Sequence, residues 1–111
     1  MATAEQRLRG MLGFAMRAGK VAIGTETVCK SMAAAKTRPR LVLIACDVSA
    51  GTLKKIVTKC EFYGIKSVQI NIGADELGDL LGKTYSPATV GIMDDGFAKQ
   101  INIVADMQQK L

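Results

Sequence analysis

Leu41-Val-Leu-Ile-Ala-Cys46 is a continuous apolar run of six, with polar residues on either side. A strand with one wet face alternates apolar and polar residues; an unbroken short run reads as a strand buried on both faces. Such a strand needs helices above and below it, and the flanking sequence supplies them. Upstream, Leu8, Met11, Leu12, Ala15 and Met16 follow the i, i+3, i+4, i+7, i+8 pattern of an amphipathic helix that Gly19 stops. Gly10 and Gly13 weaken this helix locally and suit close packing. Residues 20–23 read as a short strand, followed by a helix from about 25 to 36 with Val28, Met32 and Ala35 along one face.

Downstream, a helix from about 50 to 62 turns Leu53, Ile56, Val57 and Cys60 inward and ends at Gly64. Val68, Ile70 and Ile72 alternate as a strand; Leu77, Leu80 and Leu81 mark a short helix closed by Gly82. Residues 88–93 form a strand after Pro87. Asp94-Asp95-Gly96 reads as a turn, and Phe97, Ile101, Val104 and Ala105 line a final helix. Helices and short strands thus alternate from end to end, which predicts an α/β fold: a three-layer α/β/α sandwich around a central four-stranded mixed sheet. No linker, repeat or low-complexity stretch interrupts it, so residues 1–111 read as a single domain.

Composition narrows the function. At this length a core forms without disulfides or metal, no apolar run approaches a membrane span, and MATAEQRLRGM lacks the features of a secretory signal. Cys29, Cys46 and Cys60 are odd in number and lie in apolar runs, so they read as core thiols in a reducing cytoplasm. The chain has no histidine, which removes the commonest general acid–base and the commonest metal ligand. Asp94 and Asp95 are adjacent in a turn. No catalytic residue, metal ligand or cofactor is assigned. Gly78-Asp-Leu-Leu-Gly-Lys-Thr84 imitates a phosphate loop, yet it has three residues between its glycines where that motif needs four. It also leads from a helix toward a strand, the reverse of the required context. Gly82 reads as a helix C-cap and Lys83 as a basic loop residue.

Net charge is +5, and Arg7, Arg9, Arg17, Lys20, Lys30, Lys36, Arg38 and Arg40 crowd into the first 40 residues against Glu5 and Glu26. This asymmetry suggests one basic face, built mainly from the N-terminal part and attractive to a polyanion. Gly24-Thr-Glu-Thr-Val-Cys-Lys30 lies within it. It fits an ordinary helix start, with Thr25 as N-cap, Glu26 favouring the helix dipole and Glu26–Lys30 a solvated pair. It equally fits a nucleic-acid contact: the helix end offers free N–H groups, Lys30 reaches a phosphate one turn in, and Glu26 and Thr27 meet a base edge. Spacing alone leaves both readings open.

The segments MLGFAMRAGKVAIGTETVCKSM, RLVLIACDVS, KCEFYGI, DELGDLLGK and SPATVGIMDDGFAKQI, taken in order, make the chain resemble the L-seven-Ae family of kink-turn RNA-binding ribosomal proteins, the short bacterial members above all. The resemblance implies an RNA surface built from three loops at one end of the sheet. The first carries the family pattern Gly-X-Asn-Glu-X-X-Lys on residues 24–30: Gly24 and Lys30 match, while Glu26 takes the asparagine position and Thr27 the glutamate position. The second is Ala45-Cys-Asp47, where Ala45 and Asp47 match. The third is Tyr85-Ser86-Pro87-Ala88, in which the Tyr85 ring either stacks on a base or, with Pro87, stiffens a surface loop.

A compact patch of loops suits bent or single-stranded RNA better than duplex DNA. Lys20, Lys30, Lys36, Arg38 and Lys83 are expected to hold the phosphate backbone, setting affinity and salt dependence more than sequence choice. The reading that results is a non-catalytic, cytoplasmic, monomeric RNA-binding protein that associates with the ribosome or a kink-turn-like RNA and touches no membrane. Gly24 gives backbone access, Glu26 and Thr27 are the candidate base readers, Lys30 anchors a phosphate, and Thr25, Asp47, Tyr85, Ser86, Pro87 and Ala88 complete the expected RNA-binding set. The alternative is a scaffold module of the translation machinery with weak or lost RNA recognition. A nucleotide-dependent enzyme is disfavoured by the absent histidine and the misspaced glycines.

Overall fold

The structure is a computed structural model that describes residues 3–109. The elements run α1 (Ala4–Arg17), β1 (Val21–Ile23), α2 (Thr25–Met32), a 3-10 turn (Ala35–Thr37), β2 (Leu41–Ile44), α3 (Ala50–Tyr63), β3 (Ser67–Gln69), α4 (Ala74–Leu80), β4 (Thr89–Ile92) and α5 (Asp95–Gln109). The strands lie in the order β1-β4-β2-β3. β4 is antiparallel to both neighbours, and β2 pairs parallel with β3. The sheet is therefore mixed and four-stranded, as the alternating pattern predicts.

All four residues of β2 are buried, and its side chains divide between two cores. Leu41, Leu43 and Ala45 join Leu8 and Leu12 of α1, Leu77 of α4, and Ile101 and Val104 of α5. Val42 and Ile44 join Val28 and Met32 of α2 and Ile56 and Cys60 of α3. Successive strand residues point to opposite faces, so one uninterrupted apolar run feeds both layers of helices. Arg9 adds a polar tie within the first layer, donating to Glu5 one turn before it and to Glu76 on α4. That bond to Glu76 raises the guanidinium pKa above its ordinary value.

Local signals account for most helix boundaries. Thr3 and Gln6 cap α1 reciprocally, with Gln6 N–H donating to Thr3 Oγ1 at 3.1 Å and Thr3 N–H to Gln6 Oε1 at 2.9 Å. Ser49 caps α3, which Gly64 closes. Three details differ from expectation. The second helix ends at Met32 and not near 36, because the chain beyond it supplies partners for its last carbonyls. Thr37 Oγ1 donates to the Ser31 carbonyl at 3.0 Å and Arg38 Nε to the Met32 carbonyl at 2.9 Å. Asp94-Asp95-Gly96 is the start of α5 and not a free-standing turn, with Asp94 Oδ2 accepting from Phe97 N–H at 3.0 Å. Neither Gly10 nor Gly13 permits a close approach: a Cβ on Gly10 would meet nothing within 4 Å, and one on Gly13 only an Arg17 side-chain nitrogen at 3.9 Å.

The cysteines also separate. Cys60 is buried, Cys29 is half-buried and Cys46 is exposed, so only one of the three is a core thiol. Cys46 closes the apolar run but lies beyond the last residue of β2, where the sheet no longer covers it. Burial pushes the Cys60 thiol up to about 11, with the neighbouring Cys29 adding to the shift and a hydrogen bond with Ser67 opposing it. A thiol reagent at neutral pH should modify Cys46 first and Cys60 only on unfolding, read by mass spectrometry of quenched samples. The unfolded chain ionises this thiol near 9 and the folded one only near 11. Its contribution to stability is therefore intact below pH 9 and declines across that interval.

Candidate nucleic-acid interface

β1, β2 and β3 run one way and β4 the other, so the segments after β1 and β2 and the segment before β4 emerge at one end of the sheet. Register fixes their neighbours: Ile23 lies opposite Val90, and Ile44 opposite Thr89. Backbone bonds continue past the strands. Gly24 N–H donates to the Thr89 carbonyl and Ala45 N–H to the Ala88 carbonyl, both at 2.9 Å. The buried Thr89 hydroxyl is satisfied by Thr25 Oγ1 at 3.0 Å. The three loops are thus fastened to the first residues of a single strand.

Further ties fix the second and third loops on α4. Asp47 Oδ1 accepts from Ala74 N–H at 3.0 Å, capping that helix from across the end of the sheet. Ser86 Oγ donates to Asp75, in the first turn of α4. Lys83 N–H donates to the Gly78 carbonyl at 2.8 Å. Gly78 itself makes the closest approach: a Cβ there would sit 2.2 Å from the Tyr85 carbonyl oxygen and 3.4 Å from Pro87 Cδ. The segment that imitates a phosphate loop is therefore the last turn of α4 and the turn that follows it, and its first glycine lets the third loop lie on helix backbone. Pro87 is buried beneath the loop, while the Tyr85 ring remains 52% exposed above it.

The first loop turns on Gly24, whose φ of 101° lies where side chains are strained. Gly24 is also the N-cap of α2, without a side-chain cap, and this corrects the expected Thr25 cap. Thr25 is inside the helix and its hydroxyl points inward to Thr89. The first intrahelical bond runs from Val28 N–H to Gly24 O at 3.0 Å, which leaves the Thr25, Glu26 and Thr27 N–H groups at the helix end. Glu26, Thr27 and Lys30 are exposed, and the expected Glu26–Lys30 ion pair is not among the pairs the described residues form.

Gly24, Thr25, Glu26, Thr27, Asp47, Lys83, Tyr85, Ser86, Pro87 and Ala88 are thereby gathered at one end, with Lys30 one turn into α2. Lys20, Lys36 and Arg38 are not among them. The Lys20 carbonyl accepts from Met93 N–H beyond the far end of β4, and Lys36 and Arg38 lie between α2 and the start of β2. Arg38 lies over the Tyr63 ring with 5.1 Å between its guanidinium carbon and the centroid. Nor do the basic residues of the first 40 make one face, since α1, which carries Arg7, Arg9 and Arg17, packs on one side of the sheet and α2, which carries Lys30, on the other; Arg9 and Arg40 are also paired with acids. Cations that the sequence reading passed over stand nearer: Lys55 and Lys59 of α3 line an open groove of about 500 Å³ with Glu26, Cys29 and Lys30 of α2. Their i, i+4 spacing off the apolar stripe is the signal that could have found them.

This architecture, a mixed sheet with three interlocked loops at one end, defines a class that comparison with known proteins names. Residues 6–102 match the model of the ribosomal protein L7Ae/L30e/S12e/Gadd45 family, and the chain belongs to that family. It is 35% identical to the RNA-binding protein YlxQ of Bacillus subtilis over 86% of this chain and 92% of that one. It is 27% identical to the large ribosomal subunit protein eL30 of Sulfolobus acidocaldarius over 94% and 98%. Among solved structures, a protein of unknown function from Bacillus halodurans superposes with a TM-score of 0.81 at 28% identity, covering 89% of this chain and 96% of that one. The Giardia lamblia 15.5kD RNA binding protein shares the fold with a TM-score of 0.74 at 17% identity, over 96% and 88%.

Two glycines on two helices separate close approach from mere flexibility. Gly78→Ala should lower stability by ~1–3 kcal/mol, because the added methyl meets backbone and not a movable side chain. Gly10→Ala, in open space on α1, should raise it by up to about 1 kcal/mol. Urea unfolding of both variants beside the parent chain checks the pair of signs.

Proposed function

We propose that this chain is a non-catalytic RNA-binding protein, associated with the ribosome and directed at structured RNA with unstacked bases, a kink-turn or a related internal loop. It acts as a single monomeric domain. The observation that carries this reading is the arrangement at the head of β4. Three loops are locked to one another there, while Glu26, Thr27, Lys30 and the Tyr85 ring stay open to solvent. Family membership and the names of the relatives support the ligand class.

In this mechanism the protein supplies a preorganised surface. The uncapped N–H groups at the start of α2 donate to a phosphate or base oxygen, and Lys30 neutralises a phosphate beside them. Glu26 offers a carboxylate to base N–H donors and Thr27 a hydroxyl, so these two exposed side chains read bases. Tyr85 provides a flat face for a splayed nucleotide, and its loop is already held by Gly78, Pro87 and Ser86 before RNA arrives. Lys83 lies in the same loop. Asp47 acts through position, because its carboxylate holds α4 and the second loop together.

Fluorescence titrations with a kink-turn RNA, a straight duplex and an unstructured RNA at two salt concentrations test the reading. The kink-turn RNA should bind tightest, and tighter at low salt. Lys30→Ala should weaken binding and reduce the salt slope by about 1, the signature of one lost phosphate contact. Tyr85→Ala should weaken the kink-turn complex roughly 10-fold if its ring carries a stack. Equal affinity for all three RNAs, or none for any, would favour the scaffold reading.

A further inference from the structure

We infer that a second RNA track leaves the loop end and follows the groove between α2 and α3, taking up a single-stranded segment that flanks the folded element. This rests on the RNA-binding reading above and names what lies beyond its site. Both helices begin at the loop end, because each follows one of the parallel strands β1 and β2. Glu26, Cys29 and Lys30 form the α2 wall of the groove, and Lys55 and Lys59 the α3 wall. Lys30, Lys55 and Lys59 belong to none of the ion pairs among the described residues. Three cations that form no ion pair, set against the single carboxylate of Glu26, therefore border one open groove that starts at the base-reading residues.

The lysine stripe of α3 also continues to an aromatic residue. Lys55, Lys59 and Phe62 stand at i, i+4 and i+7, on one stripe of α3. Phe62 is 80% exposed and meets Tyr63 edge to face, with the ring centroids 4.9 Å apart. Arg38 covers the Tyr63 ring. The exposed phenyl ring, one turn beyond Lys59 on α3, is free to stack on a base. Cations along a groove with flat faces to stack on are the features by which single strands are bound without strict sequence choice. An acidic peptide would also be drawn to the lysines, but the continuity with the loop end and the available ring favour a polynucleotide.

The test compares one kink-turn RNA without a tail and with a single-stranded uridine tail of about 4 to 6 nucleotides on either end, near the lower limit of known single-strand sites. The readout is the ratio of the two affinities for each protein, which cancels any general effect of lost charge. One of the two tails should tighten binding to the parent protein roughly 10-fold, about one aromatic–base stack. Phe62→Ala and the double variant Lys55→Ala/Lys59→Ala should each return that ratio toward one while the tail-less RNA still binds. A parent ratio of one, with the tail-less RNA bound, overturns the track and leaves the loop site standing. Loss of binding to both RNAs by the parent overturns the two together. A ratio unaltered in the variants, or a tail displaced by oligoglutamate as readily as by oligouridine, also overturns it.

Discussion

The head of β4 carries the whole arrangement. The carbonyls of Ala88 and Thr89 accept hydrogen bonds from Ala45 and Gly24, and the buried hydroxyl of Thr89 pairs with Thr25. Through this one point, segments more than forty residues apart in sequence become a single surface. The strand sits between β1 and β2 and runs against both, so its beginning meets their ends. Had β4 been parallel to its neighbours, the loop before it would have emerged at the opposite end. Antiparallel placement of one strand in an otherwise parallel sheet is what builds the site.

Around that point the protein limits motion before any ligand binds. Asp47 caps α4 from the second loop, Ser86 ties the third loop to the same helix, and Gly78 lets that loop rest on helix backbone. Each contact is worth little individually, of order 1 kcal/mol for a cap or a hydrogen bond. Together they remove loop freedom that a ligand would otherwise have to freeze out on binding. The division of labour follows: buried or bonded groups such as Thr25, Asp47 and Pro87 hold the frame, and exposed groups such as Glu26, Thr27, Lys30 and Tyr85 face outward.

Much of the fold was legible from one-dimensional patterns because those patterns are local. The unbroken run 41–46 demanded two covering layers, and the helical spacings of Leu8–Met16 and Leu53–Cys60 supplied them. Boundaries were harder where long-range partners decided them. α2 stops early because Thr37 and Arg38 return to its carbonyls, and Cys46 is exposed because the sheet ends before it. Neither event leaves a mark in the residues immediately concerned. The glycines show the same limit: Gly10 and Gly78 look alike in sequence, yet one faces open space and the other a carbonyl oxygen.

Alone, the order of residues determined the class of fold, the basic character, the absence of histidine chemistry and the three segments from which the candidate site is drawn. These depend on periodicity and composition, which a linear chain carries in full. Only the tertiary structure decided which charges stand together. It sent Lys20, Lys36 and Arg38 to the far end of the sheet, bound Arg9 and Arg40 to acids, and placed Lys55 and Lys59 across a groove from Lys30. The reason is physical: an electrostatic surface depends on distances in space, and strand direction sets those distances without leaving any trace in the charge count.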